Sequence, residues 1–464
     1  MSDSLQPTYD ELLARVNELS QSFKEFLTEK KIPLPTFEAD SVTRYDGLTA
    51  EMFVKRQHLL DSLADLHYLV QGPSESIFNY AHNCMPDVAA LDILNQFKFW
   101  SAVPLAGTAT YADIAKQVNL PEEAVRRVLD HAKTLRIFAD AEAGNPDAGV
   151  RHSSRSAALA QSPGLQSLVS TIVSDAGPPM TVVPQALAKF SRGKTSLPSG
   201  LDQTAFNLFH NGKYANSWDY IENDGEGEEK GWRSRNFTTF MTYLKDIFQL
   251  EAIVEGCYDW DAAGDISVVD LGGSAGHDAF VLAKKHPNLT ITVQDLPKVQ
   301  SVFEASVPEE LKSRVSFISH DFFKPQPVQA DLYLIKMILH DWPDAECISI
   351  LQALRPSLKP GARIVLIEYV GKHDPVVEEG PQDGAWDSKE GSDVTKTKEP
   401  PLPRSIQQMG TSTDLRMLAL FSTKERVPSA WKAVISAADE RFEIAKFETN
   451  PFSFFVIIEV VWRG

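Results

Sequence analysis

Short apolar runs alternate with helical stretches from residue 266 onward, and this alternation constrains the fold more than any other feature. Five runs have this arrangement: Ile266–Leu271, Leu289–Val293, Val315–Ile318, Asp331–Leu339 and Arg363–Val370. Strands connected through helices form parallel sheets with right-handed crossovers. Two later runs, Glu443–Glu448 and Phe454–Trp462, are joined by a short connection and predict an antiparallel hairpin. The predicted fold class is therefore α/β, a parallel sheet that ends in an antiparallel hairpin.

The first run leads into a glycine-rich turn, Gly272-Gly273-Ser274-Ala275-Gly276. Glycine lets backbone N–H groups approach a ligand without a Cβ in the way. A purely structural turn would explain the glycines equally well. Asp295 ends the second run, where a carboxylate can accept hydrogen bonds from ribose hydroxyls, and Asp321 ends the third, where it can accept from an adenine amino group. Phe322 can stack on the base, so the set predicts a nucleoside cofactor.

The turn lacks the features of a phosphate-binding site. Its spacing differs from G-x-G-x-x-G, and the chain has no G-x-x-x-x-G-K motif of the P-loop type. S-adenosylmethionine carries a ribose, an adenine and an amino acid but no phosphate, and it suits an acidic lining. We therefore predict S-adenosylmethionine as the cofactor.

His340 follows an apolar strand and precedes Asp341-Trp342-Pro343, which predicts a position at the carboxyl end of the sheet. An isolated histidine is usually structural, but this position makes His340 a candidate general base. The chain has eleven histidines and three cysteines without an H-E-x-x-H motif or a Cys/His cluster, so no metal is expected.

The residues before the sheet are predicted to be mostly helical. We expect an N-terminal helical dimerisation arm at 1–85, a winged-helix dimerisation domain at 86–160, a helical connector contributing to the substrate pocket at 161–250, and a cofactor-binding domain at 251–464. The acidic segment 374–399 is predicted to be a surface insertion. In the substrate pocket, Met409, Met417, Leu418 and Phe421 offer an apolar lining, although most such residues are core.

The charge balance limits the possible partners. There are 63 Asp and Glu residues against 45 Lys and Arg, a net charge of −18, which disfavours binding to polyanions. The second helix of the winged-helix outline carries Arg126, Arg127 and Lys133 but also Glu122 and Asp130. We expect no nucleic-acid partner and, because no apolar run is long enough to span a bilayer, no membrane partner. The N-terminus lacks a secretory signal pattern, so a cytoplasmic protein is predicted.

Residues 85–464 resemble the plant and fungal class I O-methyltransferases, which methylate phenols and polyketides. The resemblance rests on the following segments: Val269–Gly276, Gln294–Pro297, His320–Phe323, Lys336 with His340–Trp342, Glu368, and Lys424–Arg426. It implies a homodimer and a hydroxylated aromatic or polyketide-type substrate. It also implies cofactor contacts by Gly272, Gly273, Asp295, Leu296, Asp321, Phe322 and Lys336, with His340 as catalytic base flanked by Glu368 and Glu425. Ser274 departs from the family's third glycine, and the acidic insertion leaves the alignment uncertain near 371–403.

With an ordinary imidazole pKa near 6.5, full removal of a phenol proton by His340 would be uphill by about 4–5 kcal/mol. Proton transfer coupled to attack would relieve that cost. Two alternatives remain open. Some fungal relatives bind the same cofactor yet catalyse dehydrations or pericyclic reactions, in which Lys336 or His340 would polarise a carbonyl. The other alternative is a winged-helix DNA-binding regulator with a degenerate enzyme domain.

Overall fold

The structure is a computed structural model that describes residues 6–45, 47–198, 200–248, 250–369, 403–449 and 455–464. The chain forms two compact units. The first lies within Met1–Thr181, Trp218–Leu244 and Pro403–Ser405, and the second within Val182–Ser217, Lys245–Leu402 and Ile406–Gly464. The region 161–250, expected to be a single connector, is thus divided between them. The predicted acidic insertion 374–399 lies outside the described residues.

The first unit is mostly helical. Its successive elements are α1 (Tyr9–Glu29), α2 (Ala50–Gln71), α3 (Pro73–Gln96), α4 (Phe99–Ala102), β1 (Thr108–Ala109), α5 (Tyr111–Val118), α6 (Glu122–Thr134), β2 (Ala139–Glu142), β3 (Asn145–Arg151), α7 (Ser154–Gln161), α8 (Pro163–Val169) and α9 (Gly177–Met180). A π-helical turn, Ser170–Asp175, joins α8 to α9. The three strands form an antiparallel sheet in the order β1-β3-β2.

Local sequence explains the helix–turn–helix in this unit. The Thr110 side chain caps α5 by accepting the Asp113 N–H at 3.1 Å. Asn119 ends α5 in the left-handed conformation, which asparagine tolerates better than most residues. Fully buried Ile114, Val125 and Leu129 then pack the two helices together.

The chain enters the second unit with α10 (Val183–Phe190) and α11 (Ala205–Phe209), and returns to the first through α12 (Ser217–Asn223) and most of α13 (Trp232–Phe248). The remaining elements belong to the second unit: α14 (Leu250–Gly256), α15 (Trp260–Ala263), β4 (Ile266–Leu271), α16 (His277–Lys285), β5 (Leu289–Asp295), α17 (Gln300–Ser306), β6 (Val315–Ser319), β7 (Ala330–Lys336), α18 (Asp344–Leu354), β8 (Leu358–Tyr369), α19 (Arg404–Phe421), α20 (Pro428–Ala438), β9 (Phe442–Thr449) and β10 (Phe455–Trp462).

The strands of this unit form one seven-stranded sheet in the order β6-β5-β4-β7-β8-β10-β9. The five strands from β6 to β8 are parallel, and β10 is antiparallel to both of its neighbours. The predicted fold class, a mostly helical N-terminal region followed by an α/β sheet with an antiparallel C-terminal hairpin, is confirmed. The residues that would connect β9 to β10 lie outside the described ranges.

Helices cover both faces of the sheet. Successive strand residues point to opposite faces, so Tyr333 and Ile335 pack with Trp431 of α20, whereas Leu332 and Leu334 pack with Phe280 of α16. Strands that are buried on both faces have nearly continuous apolar sequences. This is why the strands could be recognised in the sequence.

One predicted strand was too long. The sequence favoured a strand through Leu339, but β7 ends at Lys336, because Met337 adopts a left-handed φ of 54°. A short 3₁₀ turn, Leu339–Asp341, follows. The bend turns the chain out of the sheet before His340. Within the described residues, no helix is long and apolar enough to cross a membrane.

Candidate active site

The turn after β4 has no room for side chains at its first two glycines. Gly272 has a φ of 75°, and a Cβ there would lie 2.6 Å from the Ile338 side chain. A Cβ on Gly273 would overlap the Asp270 carboxylate. Gly272 is therefore favoured by both its backbone conformation and the space, and Gly273 by the space. Both N–H groups donate to the Gln294 carbonyl oxygen, at 2.8 and 3.2 Å, so the turn is held against the end of β5.

The acid predicted to bind ribose is tied to this turn. Asp295, at the end of β5, accepts the Ser274 N–H at 2.9 Å and the Leu296 N–H at 2.7 Å. The carboxylate is thereby fixed at the carboxyl end of the sheet, next to the glycines. Leu296 is 40% exposed and presents an apolar surface at the same place.

Asp321 and Phe322 follow β6, on the side of the sheet beyond β5. One oxygen of Asp321 accepts the Phe323 N–H at 3.0 Å. Phe322 packs edge-to-face on Trp342, with ring centroids 6.0 Å apart. The structure therefore places the predicted adenine-binding residues at the same edge of the sheet as the turn.

Three acids and one lysine surround the base of the turn. Burial raises the pKa of Asp270 to about 8, repulsion from Asp278 and Asp295 adds to this, and Lys336 opposes it. Lys336 lies 2.6 Å from Asp278 and forms an ion pair with it. Asp278 was not predicted as a site residue from the sequence. An acid in the first turn of a helix is usually explained by its favourable interaction with the helix dipole.

This set of side chains tests whether the expected cofactor fits. A phosphate group would lie close to the carboxylates of Asp278 and Asp295 and would be repelled, whereas a sulfonium or an ammonium group would be attracted. The glycine cradle leaves space for a ligand at the backbone, and the strand-end carboxylates can accept hydroxyl hydrogens. The residues therefore fit S-adenosylmethionine better than a nucleotide.

His340 is buried, with 7% of its surface exposed, on the 3₁₀ turn after β7. Its Nδ1 lies 3.1 Å from Glu425 Oε1, and its Nε2 lies 3.6 Å from Asp341 Oδ1. Burial alone would lower the pKa of His340, but the nearby charges of Asp341, Glu425 and Glu368 outweigh it and raise the pKa to about 10. The imidazole therefore holds a proton more tightly than the unperturbed value assumed from the sequence.

Glu368 contacts the histidine loop rather than the histidine ring. Its Oε1 accepts the N–H groups of Ile338 at 3.2 Å and Leu339 at 2.7 Å. The side chain is fully buried, which raises its pKa to about 7. Glu425 is the flanking acid that binds the imidazole directly, and Glu368 fixes the backbone that carries it.

Arg426 holds the other side of this loop. The guanidinium is fully buried and donates to the carbonyl oxygens of Leu339 at 3.0 Å and Trp342 at 2.7 Å, and to Asp344 at 2.8 Å. The Cys347 thiol donates to the Leu339 carbonyl as well, at 3.0 Å. Arg426 belongs to the segment Lys424–Arg426, which contributes to the family resemblance, but its role could be assigned only from the structure.

The apolar residues proposed for the substrate pocket have different environments. Met417 and Phe421 are buried in α19, whereas Met409 is 48% exposed. Leu418 lines a cavity of about 20 Å³ next to α10, which holds roughly one water and no aromatic substrate. Tyr369 was not singled out in the sequence, yet its ring lies 5.3 Å from His340.

Within the ranges that the structure describes, no group of three His, Cys, Asp or Glu side chains is arranged to hold a metal ion. The strand ends bring together the glycine turn, the carboxylates beside it and a buried histidine that is flanked by carboxylates.

Comparisons with known proteins agree with this arrangement. The family profile described as an O-methyltransferase domain matches residues 220–383. The O-methyltransferase lcsG of Purpureocillium lilacinum is 39% identical over 98% of this chain and 93% of its own length.

Two solved structures share the fold. OxaC in complex with SAH and oxaline has a TM-score of 0.68 and 18% identity, covering 97% of this chain and 98% of its own. A pericyclic reaction enzyme has a TM-score of 0.65 and 20% identity, covering 97% of this chain and 100% of its own. At these identities the similarity shows the fold alone.

Proposed function

The chain belongs to the S-adenosylmethionine-dependent O-methyltransferase family, and we propose that its acceptor is a hydroxyl of an aromatic or polyketide-type secondary metabolite, with His340 as the general base. The observation that carries this proposal is the buried imidazole fixed at Nδ1 by Glu425. That bond leaves Nε2 as the nitrogen that can exchange a proton with a substrate.

When bound, S-adenosylmethionine supplies an electrophilic methyl group on a sulfonium. His340 holds or takes the proton of the acceptor hydroxyl at Nε2. The neutral imidazole is the form that accepts a proton, and because the pKa of His340 is raised to about 10, this form is the minor one near neutral pH. Its basicity then matches a phenol of pKa about 10, so turnover should increase as the pH rises toward that value. Glu425 keeps the ring oriented and stabilises the imidazolium.

The cofactor contacts follow from the strand-end residues. Gly272 and Gly273 leave space at the backbone for the cofactor, Asp295 binds the ribose hydroxyls with Leu296 beside them, and Asp321 with Phe322 holds the adenine. Lys336 contributes through its ion pair with Asp278, which fixes that carboxylate close to the turn. The acids together favour the cationic cofactor.

The direct test is formation of S-adenosylhomocysteine with a panel of phenols. His340→Asn should lower turnover by about 10²–10⁴-fold, because a positioned general base contributes that much. Its affinity for S-adenosylmethionine, measured by calorimetry, should stay within about twofold, since His340 is not a cofactor ligand. Lys432→Gln, which removes an exposed charge on α20, is the matched control. Normal turnover in His340→Asn would reject the base assignment.

The pericyclic alternative is favoured by one observation, the fold shared with a pericyclic reaction enzyme. It predicts product without S-adenosylhomocysteine, so the same assay separates the two chemistries.

The DNA-binding alternative is disfavoured by the ion pairs on α6. Arg126 pairs with Glu122 and Asp147, Arg127 pairs with Glu123, and Lys133 pairs with Asp130 and Asp140.

The first unit fits a winged-helix module that forms a homodimer. Large apolar side chains of α2 and α3 are exposed, among them Val70 at 68%, Ile77 at 70%, Phe78 at 63% and Tyr80 at 72%. Apolar patches of this kind usually mark an interface. Light scattering should give a dimer, and the double variant Ile77→Asp with Phe78→Asp should give a monomer.

The cytoplasm is the proposed location, since Cys257 and Cys347 are buried free thiols.

A further inference from the structure

Arg416, on α19, is a partly buried cation beside the histidine site. Its Nη2 donates to the Thr413 hydroxyl at 3.0 Å. No carboxylate among the described residues lies within ion-pair distance of it. A guanidinium has five N–H donors in a planar fork, so most of its donor capacity is not used by this contact.

The other buried arginine of this unit shows the contrast. Arg426 is fully buried, and its guanidinium is satisfied by Asp344 and two backbone carbonyls. Arg426 is therefore explained by the fold, whereas the described residues supply Arg416 with one hydroxyl, that of Thr413. A buried charge that lacks a partner is costly, which makes an external anion a natural complement.

The position of Arg416 points toward the acceptor substrate. Burial lowers the pKa of its guanidinium, while the Tyr369 hydroxyl and the Glu425 carboxylate are close enough to raise it. Tyr369 and Glu425 are two of the groups that lie next to His340. Glu425 Oε2 is buried without a hydrogen-bond partner in the described chain, so the site has a second polar group for a ligand.

We propose that Arg416 is a specificity-determining residue that binds a carboxylate on the acceptor substrate, near the hydroxyl that is methylated. A planar carboxylate matches the guanidinium fork through two parallel N–H···O bonds. The substrate class is therefore hydroxylated aromatic or polyketide acids. This inference rests on the proposed function, because it takes the space beside His340 as the acceptor site.

The test measures binding rather than turnover, using enzyme saturated with S-adenosylhomocysteine. The probes are two acid–amide pairs, salicylic acid with salicylamide and 3-hydroxy-2-naphthoic acid with its primary amide. The wild-type protein should bind the acid of at least one pair about tenfold more tightly than the amide. Arg416→Gln should weaken acid binding by about 10- to 100-fold and leave amide binding nearly unchanged.

The controls separate recognition from a structural role. Arg416→Lys keeps the charge but not the fork, and should restore part of the acid preference, whereas Lys432→Gln should retain all of it. If Arg416 served only to neutralise the charge of Glu425, replacing Arg416 would change the free energy of unfolding without altering the ratio of acid to amide affinity. Absence of acid preference in wild type for both pairs, or an unchanged ratio in Arg416→Gln, overturns the proposal. Because no turnover is measured, failure of methyl transfer would not be mistaken for failure of this binding.

Discussion

The Glu368 carboxylate accepts the Leu339 backbone N–H at 2.7 Å, and this bond fixes the residue immediately before His340. The same oxygen accepts the Ile338 N–H. One acid at the end of β8 thus sets the path of the loop that leaves β7.

Replacing Glu368 should separate its hydrogen bonds from its charge. Glu368→Ala leaves two buried N–H groups without an acceptor and should lower the free energy of unfolding by roughly 2–4 kcal/mol. Glu368→Gln keeps an accepting oxygen and should stay close to wild type in urea unfolding. Equal losses in the two variants would show that the charge, and not the bonds to the loop, is what matters.

His340 should make the free energy of unfolding decrease as the pH rises into the alkaline range. Its pKa in the folded chain, about 10, is above the ordinary value of about 6.5, because Asp341 and Glu425 outweigh burial. Its contribution is therefore fully present below pH about 6.5 and is lost as the pH rises through about 10. The stability difference between wild type and His340→Asn should shrink over that range in thermal unfolding. A difference that stayed constant would contradict the raised pKa.

Asp270 should make stability depend on pH over a more acidic range that overlaps the range of His340. Burial raises its pKa to about 8, so the folded chain binds more protons than the unfolded chain between pH about 4 and 8, and stability is lost as the pH rises through that interval. Asp270→Asn should therefore gain stability relative to wild type between pH 5 and 8. Asp331→Asn is the control, because hydrogen bonds from Ser267 and Lys359 outweigh burial and lower the Asp331 pKa to about 2. Its effect should be constant over this range.

Asp295 should control cofactor affinity. Asp295→Ala removes the carboxylate that the turn orients, and the dissociation constant for S-adenosylmethionine should rise by about 10- to 100-fold, as expected for hydrogen bonds to a charged group. Glu310→Gln, an exposed position outside the site, should leave it unchanged in the same calorimetric titration. Unaltered affinity in Asp295→Ala would remove this residue from the cofactor site.

Arg426 should be essential for the stability of the second unit. Arg426→Met removes a fully buried guanidinium that donates to two carbonyl oxygens and to Asp344, and the loss of such charge-assisted hydrogen bonds should cost about 1.5–3 kcal/mol. Arg355→Gln breaks a partly exposed pair with Asp439 and should cost at most about 1 kcal/mol. Thermal unfolding of the two variants side by side gives the comparison, and similar shifts would contradict the role assigned to Arg426.

The sequence predicted the sheet well because buried parallel strands and their terminal acids are local features. The end of β7 was misjudged because the left-handed Met337 has no sequence signature, unlike a glycine. Glu425 and His340 could be paired only through the family resemblance, since 85 positions separate them. Tyr369, Arg416 and Arg426 were given no role, because their importance comes from contacts that only tertiary structure creates.

The loop that carries His340 is held by groups from β8, α18 and the segment between α19 and α20. A nascent chain that had emerged from the ribosome only as far as Phe421 would already contain the glycine turn and His340. It would still lack Glu425, which orients the imidazole, and Arg426, which anchors the loop. The contacts that orient the imidazole and anchor its loop can therefore form only after the residues that follow α19 have been synthesised, which is later than the glycine turn.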